Sequence, residues 1–258
     1  MNGPRPLARR LMARLYIAAL HTARSIAGLV NPRFCLVCDQ RLSHGERGVC
    51  VRCDTLLPRR GDTLTTADND ITRLFYGIVP IERAAALFVY GSCKELDGMI
   101  QAAKYGNRPD IAEECGMMMA HEYAPSGFFE GIDMIVPLPL HKNRLRKRGY
   151  NQSRMLAEGI SEVTGIPVAD DVVTRVKDTA MQTSMPHDQR TANMRGAFAL
   201  DNAARLKGRH ILVVDDVVTT GATMRECCMQ IAKAQDVSIS VLALARPVLS
   251  VETFEGIV

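Results

Sequence analysis

The sequence predicts an α/β fold, a parallel sheet flanked by helices, with a small cysteine-rich module on its N-terminal side. Three observations carry this prediction. Apolar runs at 84–90, 132–137, 211–214 and 237–245 alternate with helix-periodic segments near 94–105, 110–123, 152–164 and 223–234. Such alternation builds a parallel sheet with helices on both faces. The run Ile211–Val214 is apolar without interruption, as a strand buried on both sides must be. Finally, four cysteines fall within residues 35–53 as two Cys-x-x-Cys pairs.

Composition fits this architecture. With 258 residues, 47% hydrophobic and 23% charged, the chain is long enough to bury a sizeable core without covalent staples. That balance excludes a disordered chain, a collagen-like one and a polytopic membrane protein. Trp is absent and Phe and Tyr number only 7 and 6. A stacking platform for single-stranded nucleic acid has little to build with.

The net charge of +4 hides an asymmetry. Residues 1–60 carry eleven arginines, no lysine and three acids (Asp39, Glu46, Asp54), a balance of +8, leaving −4 for the rest. A basic end module on a mildly acidic body points weakly to an anionic partner for the former.

The domains are expected as a basic amphipathic helix at 1–30, a four-cysteine module at 31–60, a linker at 61–80 whose first part, 61–70, is polar, and the α/β body at 81–258. No apolar stretch is long enough for an integral membrane segment. His21 and Arg24 interrupt the run that follows the first arginines, so the start does not read as a signal peptide. The expected location is cytoplasmic. Leu7, Leu11, Ala18, Ile26 and Leu29 fit an amphipathic helix, which packs on the module behind it or faces a membrane surface or DNA.

Cys35-Leu-Val-Cys38 and Cys50-Val-Arg-Cys53 stand eleven residues apart, with Gly45 and Gly48 between them where a turn is needed. Two such knuckles present four thiolates tetrahedrally to one ion, which predicts a zinc-ribbon-like module with structural zinc. Paired disulfides or redox dithiols are the competing chemistries. A redox motif comes once, in a strand-to-helix setting, and the other four cysteines show no pairing pattern. Cys93, Cys115, Cys227 and Cys228 read as reduced, mostly core residues.

The segment Ile211-Leu-Val-Val-Asp215-Asp216-Val-Val-Thr219-Thr220-Gly221-Ala222-Thr223 is the most informative. A hydroxyl-rich turn with a glycine, leading into a helix, aims backbone N–H groups and the positive dipole end at an anion. Thr223 and Glu226 have capping-box spacing and predict the helix start. Asp215 and Asp216 cannot hold a phosphate, but they can bind paired hydroxyls of a sugar attached to it. The segment alone therefore predicts a ribose 5-phosphate site; the competing reading is a buried strand followed by an ordinary polar turn, against which stands the cost of two adjacent acids beside a core strand. No Gly-Lys-Ser/Thr follows, which excludes a Walker A loop.

Two further segments bear on the site. Lys142, Arg144, Arg146, Lys147, Arg148 and Arg154 form a basic loop after the 132–137 strand, with no acid between Asp133 and Glu158. It suits a pyrophosphate or a nucleic-acid backbone, or is a solvated run. Residues 177–196, with Thr179, Gln182, Arg190, Asn193 and Arg195, read as a mobile active-site lid or as a plain surface loop.

The acidic pair and turn resemble the phosphoribosyl pyrophosphate (PRPP) motif of type I phosphoribosyltransferases. The wider pattern resembles the ComF family (ComFC-like competence proteins and GntX-like relatives). It comprises the four cysteines, Leu57-Pro58, Lys104-Tyr105-Gly106, Val136-Pro-Leu-Pro-Leu-His141 and Arg148-Gly-Tyr-Asn-Gln152. It continues with Thr179-x-x-Gln182, Arg190-x-x-Asn193-x-x-Gly-Ala-Phe198, the turn itself and Ala245-Arg246.

The resemblance implies that Asp215 and Asp216 bind the ribose hydroxyls, that Thr219, Thr220, Gly221, Ala222 and Thr223 wrap the 5-phosphate, and that Mg²⁺ arrives with the PRPP. It also implies a role in natural competence, in uptake of transforming single-stranded DNA beside competence-machinery proteins. The alternative is an active phosphoribosyltransferase that displaces pyrophosphate with a nitrogen acceptor. Asp215 and Asp216 would then be the catalytic carboxylates, and Lys142, Arg144, Arg148 and Arg190 the candidates for the pyrophosphate. Purine-salvage relatives usually carry a carboxylate where Thr219 stands, so purine salvage is disfavoured and the sequence names no general base.

Overall fold

A computed structural model describes residues 33–43, 45–61, 66–178 and 194–247. The expected basic helix at 1–30 lies outside these residues, as do Thr179, Gln182, Arg190 and Asn193. The chain divides into two compact units, Met1–Asp54 and Thr55–Val258.

In the first unit the two knuckles are closed by backbone bonds. The Cys35 N–H donates to the Gln40 carbonyl (2.8 Å) and the Leu36 N–H to that of Gly48 (2.9 Å). Gly45 and Gly48 adopt φ of 101° and 60°, the left-handed region that glycine enters without a Cβ penalty. The Glu46 carboxylate accepts from the N–H groups of Ser43 (2.6 Å) and Val51 (2.8 Å), pinning the start of helix α1 (Val51–Leu56).

The second unit is built on a four-stranded parallel sheet, β1 (Ala84–Tyr90), β6 (Ser238–Pro247), β5 (His210–Val217) and β2 (Met134–Pro137), in that spatial order. Alternation along the strands gives the sheet two buried faces. Ala86, Val136, Val213 and Val241 share one cluster with Met224, Cys227, Cys228 and Ile231 of helix α7 (Ala222–Ile231). The alternate residues Leu87, Ile135, Leu212, Val214 and Leu242 are equally buried. Helices α3 (Pro109–Tyr123) and α5 (Gln152–Thr164) pack against the sheet, α3 on β6 and α5 on β2 and β5.

Helices α3 and α5 touch backbone to backbone. A Cβ on Gly116 would lie 2.1 Å from the Leu156 carbonyl oxygen, and one on Gly159 would lie 2.0 Å from that of Glu113. Each glycine thus opens room for the other helix, which seats α5 closely beside the sheet.

The expected strands and long helices are found within a few residues of their predicted bounds, including α2 (Lys94–Tyr105). Four features differ. The stretch expected as a linker at 61–80 is a core contributor from Asn69 on: it forms a 3-10 turn at Thr72–Phe75 and buries Ile71, Phe75 and Val79. Ile71, Leu74, Phe75, Ile78 and Val79 do keep a helical spacing, which a linker reading of the whole stretch overlooks. The expected basic loop is instead the short helix α4 (Lys142–Arg148), with His141 as N-cap accepting from the Asn143 N–H and Gly149 (φ 87°) closing it. Strands β3 (Val173–Arg175) and β4 (Phe198–Leu200) form a separate antiparallel pair, and a short helix, α6 (Ala203–Leu206), precedes β5. Three-residue strands give no readable alternation.

The fourth difference is at α7. The helix begins at Ala222 behind Gly221, with no side-chain cap. Glu226 does not reach back as a capping box requires. It is buried, and its carboxylate accepts from the Gly196 N–H (2.7 Å) and the Gln230 side-chain amide (3.3 Å).

Candidate functional site

The candidate site lies where β5 gives way to α7, at the carboxyl edge of the sheet, which is where open parallel sheets bind ligands. An open depression there is lined by Asp215 and residues 217–224. Among the described residues, the N–H groups of Thr219, Thr220, Gly221 and Thr223 have no acceptor. Gly221 takes φ 72°, and a Cβ there would lie 2.9 Å from Leu74 Cδ1. The turn needs glycine both for its backbone and for its neighbour.

What holds this turn is a buried cation. Arg246, at the end of β6, is wholly excluded from solvent. Its Nε donates to Asp70 Oδ2 (2.5 Å), its Nη1 to the Thr219 carbonyl (2.8 Å) and its Nη2 to the Asp70 carbonyl (3.3 Å). Asp70 also receives Arg60 (2.6 Å). In a planar trans peptide the N–H points opposite to the C=O. A Thr219 carbonyl drawn inward to Arg246 therefore turns the Thr220 N–H outward. Arg225 adds a bond to the Leu74 carbonyl (3.2 Å).

The acidic pair is placed inside β5 rather than after it. Asp215 Oδ1 accepts from Ser153 Oγ (2.9 Å) and from the Asp216 N–H (2.9 Å). Asp216 is buried, with Lys104 Nζ 3.3 Å from its Oδ2; that oxygen accepts no aligned hydrogen bond. Burial, and then the like charge of Asp216, push the Asp215 carboxyl up to about 7.

The Arg148–Gln152 motif serves this pair. Asn151 caps α5 by accepting from the Ser153 N–H (3.1 Å) and fixes itself by donating to the Leu138 carbonyl (3.1 Å). That cap aims Ser153 at Asp215. Tyr150 donates its hydroxyl to the Ala103 carbonyl (2.5 Å), Arg148 stacks over the Tyr105 ring (5.1 Å to the centroid), and its guanidinium bonds Gln152.

The basic candidates thus divide. Arg148 lies beside Tyr105, at the Lys104 end of α2. Arg144 leans on Asp178 (3.8 Å), which Asn143 and His141 also approach (2.8 and 3.4 Å), and Lys142 is exposed. Arg190 lies outside the described residues. Lys104, Ser153, Asp70 and Arg246 were not among the candidate site residues. Two had a signal: Lys104 and Arg246 stand in motifs of the resembled family, and an arginine ending a nine-residue apolar strand needs a buried partner.

The four-cysteine cluster belongs to the first unit. The Sγ atoms of Cys35, Cys38, Cys50 and Cys53 lie within 4.8 Å of one another, so the cluster could hold a metal ion. Cys38 and Cys50 are 3.8 Å apart at sulfur. That separation is the edge, about 3.8 Å, of a sulfur tetrahedron around an ion bonded at about 2.3 Å. Against the burial that raises it, N–H groups of Cys38, Cys50 and Val37 hold the Cys35 thiol down at about 7, while burial and its neighbours push Cys53 up. All eight cysteines are free. Cys115, Cys227 and Cys228 are buried, and burial pushes Cys115 up to about 12.

A sheet with its anion-ready turn at the carboxyl edge of an inner strand defines a class, and the phosphoribosyl transferase domain family matches residues 150–247. The DNA utilization protein YhgH of Escherichia coli (strain K12) is 29% identical over 228 residues, spanning 84% of this chain and 99% of its own. Competence protein F of Haemophilus influenzae is 36% identical over 115 residues, 44% of this chain and 50% of its own. Competence protein ComFC of Bacillus subtilis is 30% identical over 108 residues, 41% and 42% respectively. These relatives and the family match support a ComF-like chain that combines a phosphoribosyltransferase domain with a four-cysteine cluster near its N-terminus. Among the described residues no helix is long and apolar enough to cross a membrane.

Proposed function

We propose that the chain binds PRPP at the β5–α7 edge and works in the handling of incoming single-stranded DNA in the cytoplasm, alongside competence-machinery proteins. One observation carries the ligand reading: a turn of unpaired N–H groups at a helix N-terminus adjoins two carboxylates that cannot themselves take a phosphate. Residues 219–223 would receive the 5-phosphate, and Asp215 and Asp216 the ribose hydroxyls. Mg²⁺ bound with the diphosphate would offset its charge. The names of the relatives, DNA utilization and competence proteins, support the DNA role, as do the eleven arginines of residues 1–60.

The four thiolates suit zinc. With all four positions filled by protein, the ion would hold the module together rather than catalyse.

Calorimetric titration with PRPP and Mg²⁺ tests the ligand reading, with Asp215→Asn/Asp216→Asn as control. Binding lost in the double variant is the expected result, and no binding by the folded wild type would end it. Single-stranded DNA binding that weakens steeply with salt is expected of the full chain. Transfer to a nitrogen acceptor is the alternative reading. Its signature is acceptor-dependent pyrophosphate release.

A further inference from the structure

Lys104 enters the site from neither the phosphate-facing turn nor the basic helix. It is the next-to-last residue of α2, its side chain is 14% exposed, and its ammonium stands 3.3 Å from Asp216 Oδ2. An ammonium buried this far needs compensation from more than one acceptor. Among the described residues Asp216 is its single ionic partner, and that oxygen takes no aligned hydrogen bond from it. Two or more of its three N–H donors are therefore available to a ligand.

The backbone around Lys104 is tied down. Tyr150 bonds the Ala103 carbonyl and Arg148 covers Tyr105, so the residues on both sides of Lys104 are held against the segment linking α4 to α5. The 219–223 turn takes its support elsewhere, from Leu74, Asp70 and Arg246. The acidic pair thus stands between two separately anchored groups. One offers backbone N–H donors and the other two cations, Lys104 and Arg148. A ligand with an anionic group at each end of a sugar matches this arrangement.

We propose that Lys104 contacts the diphosphate of PRPP and makes the site prefer the diphosphate ester over ribose 5-phosphate. The inference rests on the PRPP reading of the site: a ribose whose hydroxyls lie on Asp215 and Asp216 carries its diphosphate on the carbon next to those hydroxyls, within reach of a cation already at Asp216. Lys104 then serves two acceptors, Asp216 and the diphosphate.

The test compares dissociation constants for PRPP and for ribose 5-phosphate, both with Mg²⁺, in the full-length wild type, Lys104→Gln, Lys104→Met and Lys104→Arg. Charge-assisted hydrogen bonds predict that the wild type prefers PRPP by about tenfold or more. Lys104→Gln should lose that preference while holding ribose 5-phosphate within about threefold, and Lys104→Arg should retain much of it. Equal loss of both ligands would make Lys104 a support for Asp216 alone and overturn the proposal, as would no change in either. A wild type that binds both ligands equally overturns it while the site reading stands. A wild type that binds neither removes the site reading and the proposal together. Thermal unfolding of each variant separates lost binding from lost folding, and Lys104→Met provides the neutral replacement if Lys104→Gln does not fold.

Discussion

Asp215→Asn should make the ligand-free protein more stable while abolishing PRPP binding. The native carboxyl is pushed up to about 7 from an ordinary 3.8. A carboxyl raised in the folded state holds its proton longer there than in the unfolded chain, so the stability it allows is complete below about pH 4 and lost as pH rises through 7. The loss amounts to about three pH units at 1.36 kcal/mol each, about 4 kcal/mol above neutrality. Asparagine removes the charge but keeps an oxygen for Ser153 Oγ and the Asp216 N–H. The gap between variant and wild type should be about 2 kcal/mol at pH 5.5 and about 4 kcal/mol at pH 8. For a domain of this size each kcal/mol moves the midpoint by about 2–4 °C. Thermal unfolding by circular dichroism across that range, without Mg²⁺ or PRPP, reads it directly. A pH-independent gap, or a variant less stable at pH 8, would refute the reasoning.

Arg246→Met leaves the Thr219 carbonyl without its donor and Asp70 with Arg60 still on it, and should cost about 1–3 kcal/mol, as an unsatisfied buried acceptor does. Chemical denaturation measures the loss, and Arg246→Lys should recover only part of it because it cannot span both partners. Gly159→Ala drives a methyl to 2.0 Å from the Glu113 carbonyl oxygen and should cost about 1–3 kcal/mol or more by the same assay. Loading the metal-free four-cysteine module with Zn²⁺ near pH 7 should release about two protons or more, since the Cys38 and Cys53 thiols are both raised. Calorimetry in buffers of different ionisation enthalpy counts them. Co²⁺ in place of Zn²⁺ should give the visible bands of a tetrahedral thiolate site.

The sheet was legible because parallel strands buried on both sides become unbroken apolar runs, and the long helices because their apolar residues keep a helical period. Lys94–Tyr105 and Gln152–Thr164 follow those patterns to their ends. The turn at 215–223 stood out for a different reason: adjacent acids beside a buried strand are costly. What was hidden depends on contacts between residues far apart in the chain. Arg246 and Asp70 are 176 positions apart, and Ser153 and Asp215 are 62 apart. No local pattern announces such pairs. Glu226 shows the converse. Its spacing from Thr223 suggested a local cap, but the Gly196 backbone took its carboxylate instead.

The Arg60–Asp70–Arg246 linkage changes where the second unit can be cut. A fragment starting near residue 81, at the expected edge of the α/β body, would omit both Arg60 and Asp70. It would keep a fully buried guanidinium with its countercharge removed, beneath the 219–223 turn. Such a piece would be poorly soluble and would lose the shape of its binding edge, however complete its sheet. A transplantable unit must therefore begin ahead of Arg60. The sheet thus travels with residues 66–80, which supply both Asp70 and the buried Ile71, Phe75 and Val79.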